Sequence, residues 1–550
     1  MLETRILSPI AKVFPEKAPE ACEPFFEGLL NETISFQLGV LNKSESARNR
    51  LFIKLEIESP IRDYIQVRRV KYVPVRVPGL DNADDYYLND MKPGLYPDVI
   101  TDVPADGFFT MPHVWESFWF DVRPDSTVAA GDYPITIRVI TPEDEKLSHV
   151  ISVNIHIIGV SLPRQTLIHT KWLHTDCLAS YYDVPVFSEE YWRITENFIR
   201  CAVEHGINTI LTPTHTPPLD TRIGSYRPAV QLVDVFVEED GYSFNFDKLV
   251  RWVDMCKKLG VEYYEIPHLF TQWGALCAPQ FIGKTAEGEK RIFGWDTPAT
   301  GGEYEKFLSF YLPALLDKLN ELGIEDKLIM HISDEPNDQQ LESYLAAKSV
   351  AAKYLRGHKT MDAISDVKYY ESGAIERPIP ATNHIEPFLE KNIPGLWAYY
   401  CIGQGVDVSN LFVAMPGART RVLGAQLYKF NIAGFLQWGY NFYYSMRSDY
   451  PIDPWTETDC DGFSPAGDAF QVYPGRNGQP VVSMRMMHVL EAHQDMRAMQ
   501  LLESLAGREA VLKLIDEGIE PITFDRYPHS DDYVLGLRSR INKAIEACIK

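Results

Sequence analysis

Beyond residue 167 the chain alternates between short apolar strands and amphipathic helices, and this rhythm restricts the fold more than any other feature of the sequence. Three of the helical segments end at glycines of the kind that cap helices, namely Gly206, Gly260 and Gly323. Because no glycine-rich phosphate-binding loop follows any strand, the alternation predicts a (β/α)8 barrel rather than a doubly wound nucleotide-binding sheet. The eight predicted strands are 167–174, 208–214, 263–270, 328–335, 360–366, 380–385, 395–401 and 434–440.

The part of the chain before residue 160 has a different pattern, in which apolar and polar residues alternate with a period of two. Turn signals separate six such segments, which is typical of an antiparallel β-sandwich. The segments are 34–42, 50–59, 67–79, 117–124, 133–141 and 150–160. With Pro163 as the boundary, we expect a β-sandwich domain over 1–162, a barrel domain over 163–505 and a helical C-terminal tail over 506–550.

Composition and charge exclude several classes of function. A net charge of −23 and an isoelectric point near 5.1 argue against binding to nucleic acids and to anionic membrane surfaces. The amino terminus lacks an apolar export segment, no long apolar run occurs, and the eight cysteines show no CxxC pair or zinc-like spacing. We therefore expect a cytoplasmic chain with reduced thiols and with no nucleic-acid or membrane partner, while the sequence leaves a homo-oligomer open.

The fourth predicted strand, within LIMHISDEP, ends in two adjacent carboxylates, Asp334 and Glu335, followed by Pro336. Catalytic groups of (β/α)8 barrels lie at the carboxyl ends of the strands, which is where this pair is expected. Because neighbouring strand residues point to opposite faces, both carboxylates can serve one cavity only if the chain curls after Ser333. The alternative is an acidic dipeptide in a solvated loop, which is the commoner fate of such pairs.

Polar and aromatic residues also collect after nearly all of the remaining predicted strands. Each one alone also fits a buried ring, a helix cap or a hydrogen-bonded core histidine, but together they predict a deep, aromatic-walled cavity that suits a sugar. Because HExxH, HxH and GxSxG patterns are missing, no metal, no other cofactor and no serine nucleophile is predicted. The candidate substrate-binding residues are Trp172, His174, Asp176, His215, Trp273, Asp362, Tyr399, Tyr400, Trp438 and Asn441.

Several of these segments together resemble glycoside hydrolase family 123, whose members act as β-N-acetylgalactosaminidases. The similar segments are WLHTDCLASYYDV, ILTPTHTPPLDT, HLFTQWGA, HISDEP, LWAYYC, GFLQWGYNFYYS and GDAFQVYPG, within residues 167–505. The resemblance implies an exo-acting, retaining enzyme that removes terminal β-linked N-acetylgalactosamine from a small glycan or glycoside. It further implies that the sugar's own 2-acetamido oxygen attacks the anomeric carbon and closes an oxazoline, with Glu335 as general acid/base and Asp334 as the partner of the acetamido group.

The remaining roles implied by the resemblance concern the walls of the cavity. Tyr399 or Tyr400 would donate to the acetamido oxygen, and Trp438 and Trp273 would stack on the sugar and form the acetamido pocket. Two other interpretations stay open. One is a barrel glycosidase in which Glu335 forms a conventional pair with a distant carboxylate, Asp362 or Asp366. The other is a non-catalytic carbohydrate-binding protein, against which the intact Asp-Glu pair argues.

Overall fold

The computed structural model describes residues 2–46, 49–143, 145–337 and 339–550. Its N-terminal part consists of two five-stranded sheets. The strands are β1 (Leu2–Leu7), β2 (Phe25–Leu30), β3 (Ile34–Asn42), β4 (Leu51–Glu58), β5 (Ile65–Val75), β6 (Gly94–Asp102), β7 (Phe108–Thr110), β8 (Trp115–Val122), β9 (Gly131–Ile140) and β10 (His149–Ser161). Their order is β1-β3-β8-β5-β6 in one sheet and β2-β10-β9-β4-β7 in the other. The six strands predicted here are confirmed as β3, β4, β5, β8, β9 and β10.

The two sheets share one apolar core, which the period-two pattern creates. Alternate residues of β9, such as Ile135 and Ile137, are fully buried, and they meet Phe36 and Phe120 from the opposite sheet. The rings of Phe36 and Phe120 stack at 4.6 Å. The pairing is antiparallel as predicted except between the edge strand β2 and its neighbour β10, which run parallel. This pairing places residues 154–158 beside residues 25–29.

The second part of the chain contains the predicted alternation of strands and helices. Its strands are β11 (Ile168–Lys171), β12 (Thr209–Leu211), β13 (Asp234–Val237), β14 (Tyr242–Asn245), β15 (Tyr263–Ile266), β16 (Phe281–Thr285), β17 (Gly288–Phe293), β18 (Leu328–Met330), β19 (Met361–Ile364), β20 (Arg377–Pro380), β21 (Trp397–Tyr399), β22 (Gly434–Gln437), β23 (Val472–Pro474) and β24 (Pro480–Val482). Its helices are α1 (Thr175–Tyr182), α2 (Glu189–Glu204), α3 (Asp247–Leu259), α4 (Gly302–Glu321), α5 (Leu341–Ala352), α6 (Lys368–Glu371), α7 (Glu386–Glu390), α8 (Gly417–Arg421), α9 (Leu423–Lys429), α10 (Met484–Ala506), α11 (Arg508–Ile515) and α12 (Asp531–Ile549).

The strands that face the candidate site form a curled parallel sheet. Six of them pair in the order β18-β15-β12-β11-β22-β21, and β19 pairs with β20 in a separate parallel sheet. Single bridges, Met330 with Thr360 and Ala381 with Tyr399, connect the edges of the two sheets. A continuous (β/α)8 barrel is therefore not confirmed. One physical reason lies in β20, where Pro378 and Pro380 have no N–H to donate to a neighbouring strand.

The sixth predicted strand, 380–385, is wrong in position. The strand is β20, which ends at Pro380, and residues 382–384 form a turn of 3-10 helix. The helix ends, by contrast, are as predicted. Gly260 caps α3 with a φ of 90°, and Gly206 and Gly323 follow α2 and α4 with φ values of 80° and 68°. A left-handed backbone of this kind is readily available only to glycine.

The helical tail predicted over 506–550 is present as α11 and α12, and α12 packs against α10 and the N-terminal sheets. Its central residue is Arg538, which is 7% exposed. Arg538 bonds to Asp495 of α10 at 2.9 Å and to Glu32, in the turn between β2 and β3, at 2.6 Å. The exact domain boundaries at 162/163 and 505/506 stay predictions. No helix among the described residues is long and apolar enough to cross a membrane.

We expect Arg538→Ala to lower the free energy of unfolding by about 3–5 kcal/mol, because it leaves Glu32 buried without its ionic partner and Asp495 with Arg421 alone. Arg526→Ala is the control on the same tail, since the Arg526 side chain is 73% exposed and surface ion pairs contribute little. Urea unfolding of the three proteins measures the difference. Equal stability of the two variants would contradict the packing described for α12.

Candidate active site

An open cavity of about 110 Å³ lies at the carboxyl ends of the parallel strands. Asp334, Glu335 and Asp220 supply its carboxyl groups, and three tryptophans, a tyrosine and a phenylalanine supply its aromatic surface. The position agrees with the rule that sites in parallel α/β sheets open at the carboxyl edge. The lining residues are Trp172, Leu219, Asp220, Gln272, Trp273, Asp334, Glu335, Ala363, Tyr399, Cys401, Ile402, Leu436, Trp438 and Phe463.

Asp334 and Glu335 reach the same cavity because the chain has already left the strand. The strand was predicted to continue to residue 335, but β18 ends at Met330. The Ile332 N–H donates to the carboxylate of Asp362 at 3.1 Å, so a side chain replaces the ladder partner. Glu335 has a φ of 40°, a left-handed conformation that non-glycine residues seldom adopt. The expected curl after Ser333 therefore begins earlier, at the end of β18.

Burial and mutual proximity control the protonation of this pair. Burial raises the pKa of Asp334 well above its ordinary value, and the neighbouring charges of Glu335 and Asp362 raise it further. Burial also raises the pKa of Glu335, while a hydrogen bond from the Tyr399 hydroxyl, at 2.5 Å, opposes that shift. Two carboxyl groups so close together cannot both ionise readily. The pair therefore retains a proton at pH values where free carboxyl groups have lost theirs.

The tryptophan walls are fixed from behind by carboxylates. The Trp172 indole N–H donates to Glu265 at 2.8 Å, and the Trp438 indole N–H donates to Asp468 at 2.9 Å. Trp273 lies at the mouth, where it is 39% exposed and has a φ of 59°. Two rings are thus held in place while the third is accessible, an arrangement suited to stacking on the apolar face of a sugar.

The structure brings six of the twelve predicted site residues together in the cavity, namely Trp172, Trp273, Asp334, Glu335, Tyr399 and Trp438. The other six lie outside its lining. Asp362 is fully buried beneath the cavity, where Tyr344 donates to it at 2.5 Å. Tyr400 points away and packs on Phe435, with ring centroids 4.8 Å apart.

His174, Asp176, His215 and Asn441 support the loops around the cavity instead of lining it. Asp176 accepts two hydrogen bonds of 2.6 Å from the buried Arg227. Arg227 also donates to His174, whose burial lowers its pKa to about 3. Asn441 bonds to both backbone groups of His174, at 2.9 and 3.0 Å. The side chain of His215 contacts the His268 carbonyl at 3.0 Å, and burial lowers its pKa to about 4.

The strand-end rule does not select Asp220, which lines the cavity beside Gln272, the glutamine of the HLFTQWGA segment. The Gln272 side chain accepts a hydrogen bond of 2.5 Å from the Asp220 N–H, and the Arg447 N–H donates to the Asp220 carboxylate at 3.1 Å. Burial raises the pKa of Asp220 to about 6. The available signal for Asp220 was its place in the segment ILTPTHTPPLDT. Asp220 lies too far beyond β12 for a strand-end rule to select it. Asp468, behind Trp438, was missed for the same reason, and burial raises its pKa to about 7.

One cluster beneath the cavity has the composition of a metal site. His268, His331 and Asp362 offer ligand atoms within 4.8 Å of one another. However, the His331 ring places Nε2 2.8 Å from Glu265 and Nδ1 3.2 Å from Asp362, so both nitrogens face carboxylate oxygens. A ring that donates from both nitrogens has no lone pair left for a cation. The cluster is therefore an ion-pair network.

Comparisons with known proteins identify the family and the fold. A family model described as "Glycoside hydrolase 123, catalytic domain" matches residues 172–502. A family 123 glycoside hydrolase from Clostridium perfringens, solved to give "the details of glycolipid glycan hydrolysis", superposes with a TM-score of 0.75 at 14% identity, over 100% of this chain and 98% of that chain. A Bacteroides ovatus GH5 xyloglucanase gives a TM-score of only 0.29 at 9% identity, over 86% of this chain and 98% of that one, and carries no argument. No curated protein matches the chain.

We expect Asp334→Asn to be more thermostable than the wild type at pH 8, by roughly 1–3 °C. Because the pKa of Asp334 is raised in the folded state, the folded protein binds more protons than the unfolded chain and loses stability as the pH rises above about 4. The variant lacks this charge, so the gain should disappear near pH 4. Melting curves at both pH values test this, with the exposed Asp326→Asn as control. A destabilised variant at pH 8 would contradict the assigned shift.

Proposed function

Because the chain belongs to glycoside hydrolase family 123, we propose that it is an exo-acting, retaining β-N-acetylgalactosaminidase that uses substrate-assisted catalysis. The observation that carries this proposal is that two adjacent carboxyl groups, Asp334 and Glu335, open into one aromatic-walled cavity. The preference for the galacto configuration and for a terminal sugar rests on the resemblance of the sequence segments to the family.

Adjacent carboxyl groups suit a reaction in which the enzyme needs no nucleophile of its own. A conventional retaining glycosidase places two carboxyl groups about 5–5.5 Å apart on opposite sides of the anomeric carbon. Asp334 and Glu335 are consecutive residues that open into one cavity beyond the end of β18, so they reach a bound sugar from one side. When the 2-acetamido oxygen of the substrate attacks instead, one carboxyl group protonates the leaving oxygen and the other is free to orient the acetamido group.

In the first step the acetamido oxygen forms a bond to the anomeric carbon while the bond to the aglycone oxygen breaks. Glu335 gives its proton to that oxygen, which requires a protonated Glu335 and agrees with the raised pKa of this group. Asp334 accepts the acetamido N–H and stabilises the positive charge that develops in the oxazoline. In the second step Glu335 takes a proton from water, which opens the oxazoline with net retention.

The shared proton must sit on Glu335 for this reaction. An acetamido N–H bound to Asp334 stabilises the anionic form of that carboxyl group, and the proton then remains on Glu335. Tyr399 donates to Glu335, so a bond from Tyr399 to the acetamido oxygen requires an exchange of partners. Tyr399 is favoured over Tyr400 for this role, because Tyr400 does not line the cavity. Trp438 and Trp273 would supply the stacking surfaces.

A conventional carboxylate pair is the second candidate, and one observation favours it. Neither Asp362 nor Asp366 lines the cavity, but Asp220 does, and of the described residues it is the one further carboxyl group there. Its backbone N–H and carboxylate are held by Gln272 and Arg447. Asp220 could therefore act as the nucleophile opposite Glu335. This reaction would not require an acetamido group on the substrate.

We expect nitrophenyl β-N-acetylgalactosaminide to be cleaved at least 100-fold faster, in kcat/KM, than nitrophenyl β-galactoside, which lacks the internal nucleophile. The β-N-acetylglucosaminide should lie between them. Steady-state rates on the three substrates, with Asp220→Asn as a companion variant, decide between the two candidates. Efficient cleavage of the galactoside that disappears in Asp220→Asn would establish the conventional pair. Binding of sugars without turnover of any substrate would leave a carbohydrate-binding protein.

We expect Glu335→Gln to lower turnover of an unactivated disaccharide by about 10²–10⁴-fold, because glutamine cannot protonate the leaving oxygen. The loss should be much smaller for a dinitrophenyl glycoside, whose leaving group departs without a proton. Glu342→Gln, an exposed carboxyl group at the start of α5, is the matched control and should keep wild-type rates. An equal loss on both substrates would argue against an acid role for Glu335.

A further inference from the structure

Three connected charged side chains, those of Glu265, His331 and Asp362, lie beneath the carboxyl pair. His331 stands in the middle, with Nε2 2.8 Å from Glu265 and Nδ1 3.2 Å from Asp362. All three side chains are at most 1% exposed. They come from β15, from β19 and from the segment that follows β18. Buried charges are costly unless they are paired and hydrogen-bonded, so each of the three side chains needs partners of opposite charge or hydrogen-bonding groups.

Both carboxylates accept their full share of hydrogen bonds. Glu265 also accepts from the Thr170 hydroxyl at 2.5 Å and from the Trp172 indole at 2.8 Å. Asp362 also accepts from the Tyr344 hydroxyl at 2.5 Å and from the Ile332 N–H. Since both carboxylates act as acceptors from every side, each His331 nitrogen must bring a proton. His331 is therefore an imidazolium. Burial lowers its pKa, but the hydrogen bonds and charges of the two carboxylates outweigh burial and raise the pKa to about 10.

Glu265 and Asp362, on either side of His331, hold different parts of the candidate site. Glu265 fixes the Trp172 ring, which is one wall of the cavity. Asp362 holds the Ile332 N–H, two residues before Asp334. The same segment is held on its other side, where the Ile332 carbonyl accepts from the Phe270 N–H at 3.0 Å. The wall and the carboxyl pair are therefore fixed by one connected set of contacts.

The charges of His331 and Asp362 also act on Asp334. Burial raises the pKa of Asp334 most, and the charges of Glu335, Asp362 and Asp220 raise it further. The His331 imidazolium lowers it. The remaining groups around His331 add little charge. His268 stacks on it at 4.6 Å, and burial and His331 together hold the pKa of His268 so low that its ring is neutral. The Tyr344 hydroxyl donates to Asp362, and burial keeps this hydroxyl protonated.

We propose that Glu265, His331 and Asp362 form a positioning triad, which holds the segment that carries Asp334 and Glu335 and in which the positive charge of His331 favours the anionic form of Asp334 against the negative charge of Asp362. None of the three lines the cavity, so they act through Asp334 and not on the substrate. The proposal rests on the proposed function, in which Asp334 must be ionised. A purely structural ion-pair network would stabilise the fold without affecting how activity depends on pH.

The two charges predict opposite changes, which makes the test sharp. Activity falls on the acidic side as Asp334 becomes protonated. Asp362→Asn removes a negative charge and should move the acidic limb of the pH profile of kcat/KM to lower pH by about one unit. His331→Gln removes a positive charge and should move this limb to higher pH by about one unit. Both variants should also lower kcat more than they raise KM, because they displace the carboxyl pair.

Two control variants separate this effect from loss of stability. Tyr344→Phe removes a hydrogen bond to Asp362 but no charge, so its acidic limb should stay close to that of the wild type. Asp121→Asn disturbs an equally buried carboxylate in the N-terminal sheets, where Ser35 and Trp119 donate to it. It should lower the melting temperature without moving the limb. Limbs that stay in place in both charge variants, or that move in the same direction, would overturn the proposal.

A spectroscopic measurement on the wild type keeps the proposal testable if a charge variant does not fold. With ¹⁵N-labelled histidine, His331 should carry slowly exchanging protons on both ring nitrogens at pH 8, and a neutral ring would overturn the triad. The measurement also separates the two proposals. A wild type that cleaves no acetamido sugar would end the proposed function, while the histidine signal would still decide the state of the triad. An active wild type with a neutral His331 would end the triad alone.

Discussion

The hydrogen bond between the Ile332 N–H and the Asp362 carboxylate is the contact on which the geometry of the cavity depends. It occupies a backbone donor that would otherwise continue the strand, so β18 stops at Met330. Once the chain is free of the pleat, Asp334 and Glu335 no longer have to face opposite sides. Glu335 then takes a left-handed backbone conformation, which costs free energy that the surrounding contacts must offset.

The cavity combines accessible aromatic rings with buried charges, and each depends on the other. The indoles of Trp172 and Trp438 keep fixed orientations because Glu265 and Asp468 accept their N–H groups. Glu265 can be buried because other donors satisfy it, Thr170 among them, whereas one oxygen of Asp468 has no hydrogen-bond partner and burial raises the pKa of this group to about 7. The result is a rigid apolar wall backed by polar contacts. Such a wall provides the preorganisation that a reaction through a charged intermediate needs.

Buried ion pairs also connect the regions that the sequence separates. Asp98 of β6 pairs with Arg485 of α10 at 2.9 Å and accepts from Tyr473 at 2.7 Å. Arg538 of α12 reaches both α10 and the turn between β2 and β3. Because removal of one partner would leave a buried charge unpaired, these contacts bind the N-terminal sheets and the helical tail to the part of the chain that forms the cavity. The sheets are therefore a built-in support for the candidate site.

The sequence by itself determined the alternation of elements, because strand and helix periods are local properties. It located six strands of the N-terminal sheets, the glycine ends of α2, α3 and α4, and the carboxyl pair at 334–335. Tertiary structure decided which side chains enter the cavity. Asp362 was expected there but is drawn beneath it by His331, and Asp220 arrives from a loop far beyond β12. The end of each strand and the path of each loop depend on partners distant in the chain, and a local pattern carries no information about those partners.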